Sequence, residues 1–137
     1  MGRLTRARAW WAGTIGRRGE FLLFLTLLDL LYGLSLLRPA RAAQQSPTTR
    51  FLTEVMPLPV WGGLWLVVGL ICLAGAFGRC DRAAYAAAAA LKVLWGGMFR
   101  IGWAAGVIER GWVGAIIWLA FAFFVVRIAS WPEPERR

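Results

Sequence analysis

Residues 58–77 read LPVWGGLWLVVGLICLAGAF, a run of 20 residues without one charged side chain. An α-helix needs about 20 apolar residues to cross the hydrocarbon core of a bilayer, and this run has that length. A core helix of a soluble domain would also carry polar residues on its outer face, and this run has no such face. The segment therefore predicts a membrane span and identifies lipid as the solvent of the fold.

The composition of the whole chain agrees with this prediction. Of 137 residues, 59% are hydrophobic and 14% are aromatic, which is too apolar for a soluble domain that must cover itself with polar surface. The net charge of +9 would suggest nucleic-acid binding in a soluble protein. No stretch between the apolar runs is long enough to build a basic patch, so we expect no nucleic-acid partner.

Three more apolar runs surround the first. The run at 21–37 gives about 25 Å of helix. The run that begins near Ala83 either stops at Phe99 or continues through Arg100 to Ile108, and we expect the longer, tilted helix. The run at 112–129 follows a connection of three residues, which predicts a tight antiparallel hairpin. The sequence thus predicts an all-α membrane protein, a bundle of four transmembrane helices. Its parts are a basic cytoplasmic segment (1–20), a transmembrane domain (21–129) with spans at about 21–37, 58–77, 83–108 and 112–129 and an external loop at 38–57, and a cytoplasmic tail (130–137).

The arginines predict the orientation of the bundle, because short cytoplasmic loops carry an excess of Lys and Arg. The side that holds the N-terminus has ten: Arg3, Arg6, Arg8, Arg17, Arg18, Arg79, Arg82, Arg127, Arg136 and Arg137. The other side has at most five: Arg38, Arg41, Arg50, Arg110 and, if it reaches outward, Arg100. We expect both termini in the cytoplasm.

The N-terminal region allows more than one interpretation. Leu4, Ala7, Trp11 and Ile15 recur at helical spacing, which fits a basic amphipathic helix on the anionic inner leaflet; an irregular positive leader that only sets topology is the alternative. The apolar run at 21–37, followed by Ala40-Arg41-Ala42, also resembles a cleavable signal peptide. The charged segment before this run and Asp29 within it argue against cleavage.

Aromatic residues and a capping pattern mark the ends of the predicted spans. Trp61, Tyr85, Trp112 and Trp131 fall at predicted membrane interfaces, where amphipathic rings prefer to lie, and are predicted to anchor the helices there. In the external loop, Ser46 followed by Pro47 predicts the start of a short helix.

Asp29 is the most informative single residue, because a carboxylate near the middle of a bilayer costs about 2.5–3.5 kcal/mol unless it is paired or hydrated. Lys92 lies nine residues after Ala83, just as Asp29 lies nine residues after Glu20, and both predicted spans run outward. The two side chains therefore share one depth. We predict an ion pair between them, which acts either as a proton or ion relay or polar lock, or as an internal bridge that fixes helix register.

Arg100 and several small residues complete the set of candidate positions. Arg100 is close enough to the outer end of its span to reach lipid headgroups by extending its side chain. Gly102 with Gly106, and Ala74 with Gly78, have the spacing of close helix contacts, which fits packing within the chain or a homo-oligomer face.

The chain has no histidine, the commonest general base and the commonest metal ligand. We therefore expect no enzyme, no metal site and no cofactor.

Five stretches together resemble a group of small four-span membrane proteins encoded by actinobacterial phages and prophages. They are RRGEFLLFLTLLDLLYGLSLLRP (17–39), VWGGLWLVVGL (60–70), KVLWG (92–96), ERGWVGAIIWLAFAF (109–123) and WPEPE (131–135). The resemblance implies a phage protein in the inner (cytoplasmic) membrane of its bacterial host, with a holin-like role in lysis as the leading expectation. Two alternatives stay open: a small proton-coupled transporter that uses Asp29, and a membrane scaffold or superinfection-exclusion protein.

Overall fold

The computed structural model of the protein describes residues 2, 4–6, 9, 10, 15–78 and 81–132. The described residues contain helices and turns and no strand, so the all-α prediction is confirmed for this part of the chain. Residues 2, 4–6, 9 and 10 are helical. In the described stretches 15–78 and 81–132, six helices follow one another: α1 (Gly16–Leu37), α2 (Arg41–Gln44), α3 (Pro47–Val55), α4 (Leu58–Phe77), α5 (Asp81–Ala104) and α6 (Gly111–Ala129).

Three of these helices, α1, α4 and α6, are long and apolar enough to cross a membrane. This agrees with a multi-pass membrane protein. Helix α5 is the longest, with 24 residues, but it carries Asp81, Arg82, Lys92 and Arg100 and is not among the three.

Helix α1 starts at Gly16, five residues before the predicted span at 21–37. The sequence prediction was based on hydropathy, which marks the part of a helix that suits lipid and not the point where its hydrogen bonding begins. Gly16 has a φ of +65°, and Ile15 before it is fully buried. Of the residues predicted to form an amphipathic helix, Ala7 and Trp11 lie outside the described residues.

Helix α5 ends at Ala104, so the predicted span 83–108 was wrong at its C-terminal end. Gly106 has a φ of +73°, its N–H donates to the Trp103 carbonyl, and the N–H of Val107 donates to the Gly102 carbonyl, both at 2.9 Å. These are the two bonds of a Schellman motif, in which a left-handed glycine ends a helix. The apolar residues after Ala104 therefore form a turn that leads into α6.

The connection between α1 and α4, residues 38–57, contains two short helices, α2 and α3. Ser46 caps α3, since its Oγ accepts from the Thr49 N–H at 3.1 Å, and Pro47 stands in the first turn, which confirms the prediction for this helix start. Leu52 of α3 is buried, and its carbonyl accepts from Trp61 Nε1 at 3.1 Å. Helix α3 is thereby held against the end of the bundle where α4 begins.

Helices α1 and α4 pack antiparallel through small residues that repeat every seven positions. A β-carbon built on Gly33 would lie 2.9 Å from the Gly62 carbonyl oxygen, and one built on Gly62 would lie 2.9 Å from the Gly33 oxygen. At the other end of the pair, a β-carbon on Gly19 would lie 3.1 Å from the Ala76 oxygen. Only small residues permit so close an approach of two backbones. The buried repeat consists of Gly19, Thr26 and Gly33 in α1 and Gly62, Gly69 and Ala76 in α4.

Helices α5 and α6 form a second antiparallel hairpin. A β-carbon on Gly111 would lie 2.6 Å from the Phe99 carbonyl oxygen, and one on Gly96 would meet the Leu119 side chain at 3.0 Å. The bundle thus consists of two hairpins, α1 with α4 and α5 with α6, and each has backbone-level contacts within it.

Candidate functional site

The structure brings Asp29 of α1 and Lys92 of α5 together. Lys92 Nζ donates to Asp29 Oδ1, and both side chains are completely inaccessible to solvent. A buried charge without a counter-charge would be strongly unfavourable in apolar surroundings. Asp29 can therefore be buried in charged form only because Lys92 lies beside it, and the reverse. The two form the only ion pair of the described residues with both side chains fully buried.

Aromatic faces complete the surroundings of the ammonium group. Lys92 Nζ lies 4.8 Å from the ring centroid of Trp65 and 5.8 Å from that of Phe121. A cation over an aromatic face is attracted by the ring quadrupole, most strongly where water is absent. Trp65 and Phe121 therefore help Asp29 to stabilise the positive charge of Lys92.

An aromatic cluster extends from Lys92 toward the end of the bundle that holds α3. Tyr32 and Trp65 have ring centroids 4.4 Å apart, and Trp95 meets Trp65 edge to face at 5.4 Å. Trp95 Nε1 donates to the Tyr32 hydroxyl at 3.1 Å. We use the name aromatic cluster for Tyr32, Trp61, Trp65, Trp95 and Trp118.

Two buried polar atoms of this region have no hydrogen-bond partner in the described part of the chain: Asp29 Oδ2 and Trp65 Nε1. Buried donors and acceptors are normally satisfied, because leaving one without a partner costs about 1–3 kcal/mol. The ion pair is therefore enclosed by apolar and aromatic groups and is incompletely compensated by hydrogen bonds.

A second ion pair joins the same two helices at their N-terminal ends. Arg18 Nη2 lies 3.0 Å from Asp81 Oδ2, and both side chains are mostly buried, with exposed fractions of 13% and 21%. The Tyr85 hydroxyl donates to the Arg18 carbonyl at 2.8 Å, and the Arg18 guanidinium carbon lies 5.4 Å from the Tyr85 ring centroid. The sequence analysis missed this pair, although its separation along the chain equals that of Asp29 and Lys92.

Three side-chain pairs therefore connect α1 with α5 in one register. Arg18 with Asp81, Asp29 with Lys92, and Tyr32 with Trp95 are each 63 residues apart. A constant separation means that α1 and α5 run parallel, with the three pairs stacked along their common length. We call these three pairs the polar seam.

Two of the four predicted interface anchors are buried inside the bundle, contrary to the prediction. Trp61 and Tyr85 are each 2% exposed, and their polar atoms bond to the carbonyls of Leu52 and Arg18. An amphipathic ring near a helix end can direct its polar atom to a neighbouring backbone group instead of to lipid headgroups. Trp112 and Trp131 are about half exposed, and their anchoring role stays a prediction.

The small-residue pairs also differ from the prediction. Gly102 is buried against Ile108 and Phe51, whereas Gly106 lies in the turn after α5, and a β-carbon built on it would meet no atom within 4 Å. The two therefore do not form one helix face. Ala74 is exposed and Gly78 follows the end of α4. The close helix contact is made instead by the seven-residue repeat of small residues in α1 and α4.

Arg100 is exposed on α5, four residues before the helix ends. Within the described residues, no three histidine, cysteine, aspartate or glutamate side chains come together in a way that could hold a metal ion. In comparisons with known proteins, no family model, no curated protein and no solved structure matches the chain.

Proposed function

We propose that this chain is a phage- or prophage-encoded, holin-like protein of the bacterial inner membrane, which accumulates as a closed bundle and permeabilises the membrane when copies assemble. The observation that carries the proposal is the Asp29–Lys92 pair, enclosed between two helices that meet through side chains. The resemblance of the sequence to small phage-encoded membrane proteins supports the same function.

The proposal includes α5 as a fourth span. Helices α4 and α6 both pack antiparallel to α5, so they run in the same direction. Two spans can run in one direction only if the chain crosses back between them. Helix α5 has 24 residues, which correspond to about 36 Å, and is long enough for that crossing.

The proposed topology has both termini in the cytoplasm. With four spans, the N-terminal segment, the α4–α5 connection and the C-terminal tail lie on one side, and this side carries ten of the arginines. The α1–α4 connection with α3, and the α5–α6 turn, then lie outside. The anionic inner leaflet becomes the partner of the basic N-terminal segment.

The ion pair explains why the bundle would have a closed and an open state. In the closed bundle Asp29 and Lys92 neutralise each other away from lipid, and large apolar side chains cover much of the outward surface of the helices. When α1 separates from α5, both charges need water or a new partner, because either charge alone is unfavourable in hydrocarbon. Opening is therefore favoured where several copies together admit water, and the polar seam would line that opening.

A transporter function for Asp29 has weaker support. Lys92 engages one of the two carboxylate oxygens and neutralises the charge that a transported cation or proton would need. The scaffold and superinfection-exclusion alternatives predict normal growth during high expression, which separates them from the holin-like function.

The test is induced expression in a bacterium that also produces an endolysin without an export signal. We expect an abrupt loss of membrane potential, read with a potential-sensitive dye, followed by lysis. The matched variant carries Asp29→Asn and Lys92→Gln, which removes both charges. It should change the time at which the membrane potential is lost. A normal potential at a high membrane level of the protein would overturn the proposal, and cationic-dye resistance that Asp29→Asn abolishes would support transport instead.

A further inference from the structure

We propose that the polar seam is exchangeable between two copies of this chain: the α1–α4 hairpin of one copy pairs with the α5–α6 hairpin of the other, and the reverse. This inference rests on the opening step of the proposed function and identifies the partner that the opened seam binds. The partner is a second copy, which contributes Lys92 to the Asp29 of the first.

The packing of the bundle favours separation into these two units. Within the first hairpin, Gly33 and Gly62 bring the two backbones into contact; within the second, Gly111 lies against the backbone of Phe99. Between the hairpins, most contacts are made by side chains. The polar seam joins α1 to α5, and Trp61 and Trp65 of α4 meet the Trp95 ring of α5 with ring centroids 5.2 and 5.4 Å apart. Gly75 of α4 also lies against the Ala84 side chain. The exchange remakes these α4–α5 contacts together with the seam, because α4 moves with α1.

The charges of the seam determine which helix surface can pair with α1 after α1 has separated from its own α5. From its N-terminal end, α1 presents Arg18 and then Asp29, whereas α5 presents Asp81 and then Lys92. Two α1 helices side by side in the same orientation would place like charges opposite each other. An α1 helix beside the α5 helix of another copy places opposite charges together at both levels.

Membrane insertion preserves the geometry that this exchange needs. All copies have the same orientation in the bilayer, so α1 of one copy is parallel to α5 of every other copy, as it is to its own. The separation of 63 residues then pairs the same side chains at the same depths. Reciprocal exchange satisfies both buried charges of both copies and gives an interface with two-fold symmetry.

Charge reversal in separate copies tests the exchange. One tagged copy carries Asp29→Lys and a second, differently tagged copy carries Lys92→Asp, so each copy alone places like charges in its own seam. When the two are produced together, an exchanged dimer pairs Lys with Asp at both positions. We expect each single variant to be depleted from the membrane several-fold, and their co-production to restore both and make them co-purify.

The control is one chain with both Asp29→Lys and Lys92→Asp, which restores the pair within a copy. If this chain accumulates normally while the two single variants neither recover nor co-purify, the exchange is wrong. Because abundance and co-purification are measured, and not permeabilisation, the result is independent of whether the protein acts in lysis.

A second measurement covers the case in which charge reversal prevents folding altogether. In a background with Cys72→Ser and Cys80→Ser, one copy carries Arg18→Cys and the other Asp81→Cys, and a short thiol-specific crosslinker is added to membranes. The exchange predicts a crosslinked dimer of the two copies. If the chain with both Arg18→Cys and Asp81→Cys crosslinks internally but the mixed copies give no dimer, the exchange is overturned.

Discussion

The pairing of Asp29 with Lys92 was predicted from depth alone, since the two residues stand nine positions after Glu20 and Ala83, where two predicted spans of the same direction begin. That reasoning needed only the order of the spans, and the structure places the two side chains in contact. The surroundings of the pair could not be predicted in the same way. Which face of a helix meets a given neighbour depends on helix rotation, and hydropathy does not report rotation in a helix that is apolar on all sides.

Trp61 and Tyr85 illustrate the same difficulty. Both stand near the ends of apolar runs, where an aromatic residue facing lipid and one facing the bundle look alike in the sequence. The structure buries both and bonds their polar atoms to backbone carbonyls. A second clue was present, because Trp61 and Trp65 are four residues apart and therefore lie on one face of α4.

Removal of one partner of the ion pair should be worse than removal of both. We expect Asp29→Asn or Lys92→Gln alone to lower the free energy of unfolding by about 3–5 kcal/mol, because the remaining charge is buried without a partner. The double variant should lose less than the sum of the two single losses. Thermal unfolding in detergent measures this, with Arg100→Gln as the control for loss of an exposed charge on the same helix; strictly additive losses would contradict the pairing energy.

At the scale of helices, the spacing of glycines was more informative than the short motifs. The GxxxG pattern at Gly102 and Gly106 did not form a contact face, because Gly106 ends α5. The repeat of small residues every seven positions in α1 and α4 was also visible in the sequence, and it corresponds to the helix pair with backbone contact. A seven-residue repeat keeps one face toward the partner over several turns, whereas a single pair occurs easily by chance.

Adjacent glycines of α4 provide a matched test of this packing. Gly62→Ala places a β-carbon 2.9 Å from the Gly33 carbonyl oxygen and should destabilise the protein by about 1–3 kcal/mol, since two backbones must move apart. Gly63→Ala meets no atom within 4 Å and should be neutral or stabilising by up to about 1 kcal/mol through helix propensity. Thermal midpoints of the two variants in one detergent give the comparison, and equal midpoints would show that the α1–α4 contact is looser than described.

At the scale of the whole molecule, hydropathy located the four long helices α1, α4, α5 and α6 but misplaced some of their ends. The apolar run at 58–77 coincides with α4 at both ends, because proline precedes it and a short connection follows it. Helix α5 was extended too far, since apolar residues continue beyond Ala104 although the backbone turns there. The orientation of the molecule follows from its arginines and remains a prediction.

Reporter fusions test that orientation and the number of crossings together. With four spans and a cytoplasmic N-terminus, a reporter that is active only in the cytoplasm should work after residue 137 and fail when inserted beside Glu109. Three spans would place the two termini on opposite sides, so a reporter that is active at the N-terminus and inactive at the C-terminus would contradict α5 as a span.

The polar seam also has a consequence for the order of events during synthesis. Lys92 is made 63 residues after Asp29, which takes about 3–13 s at roughly 5–20 residues per second. Helix α1 is therefore ready to enter the bilayer before its counter-charge exists, and α4 is the neighbour available to it in the meantime. The close α1–α4 contact is the packing available to the nascent chain during this delay, and Asp29 gains its buried partner only when α5 arrives.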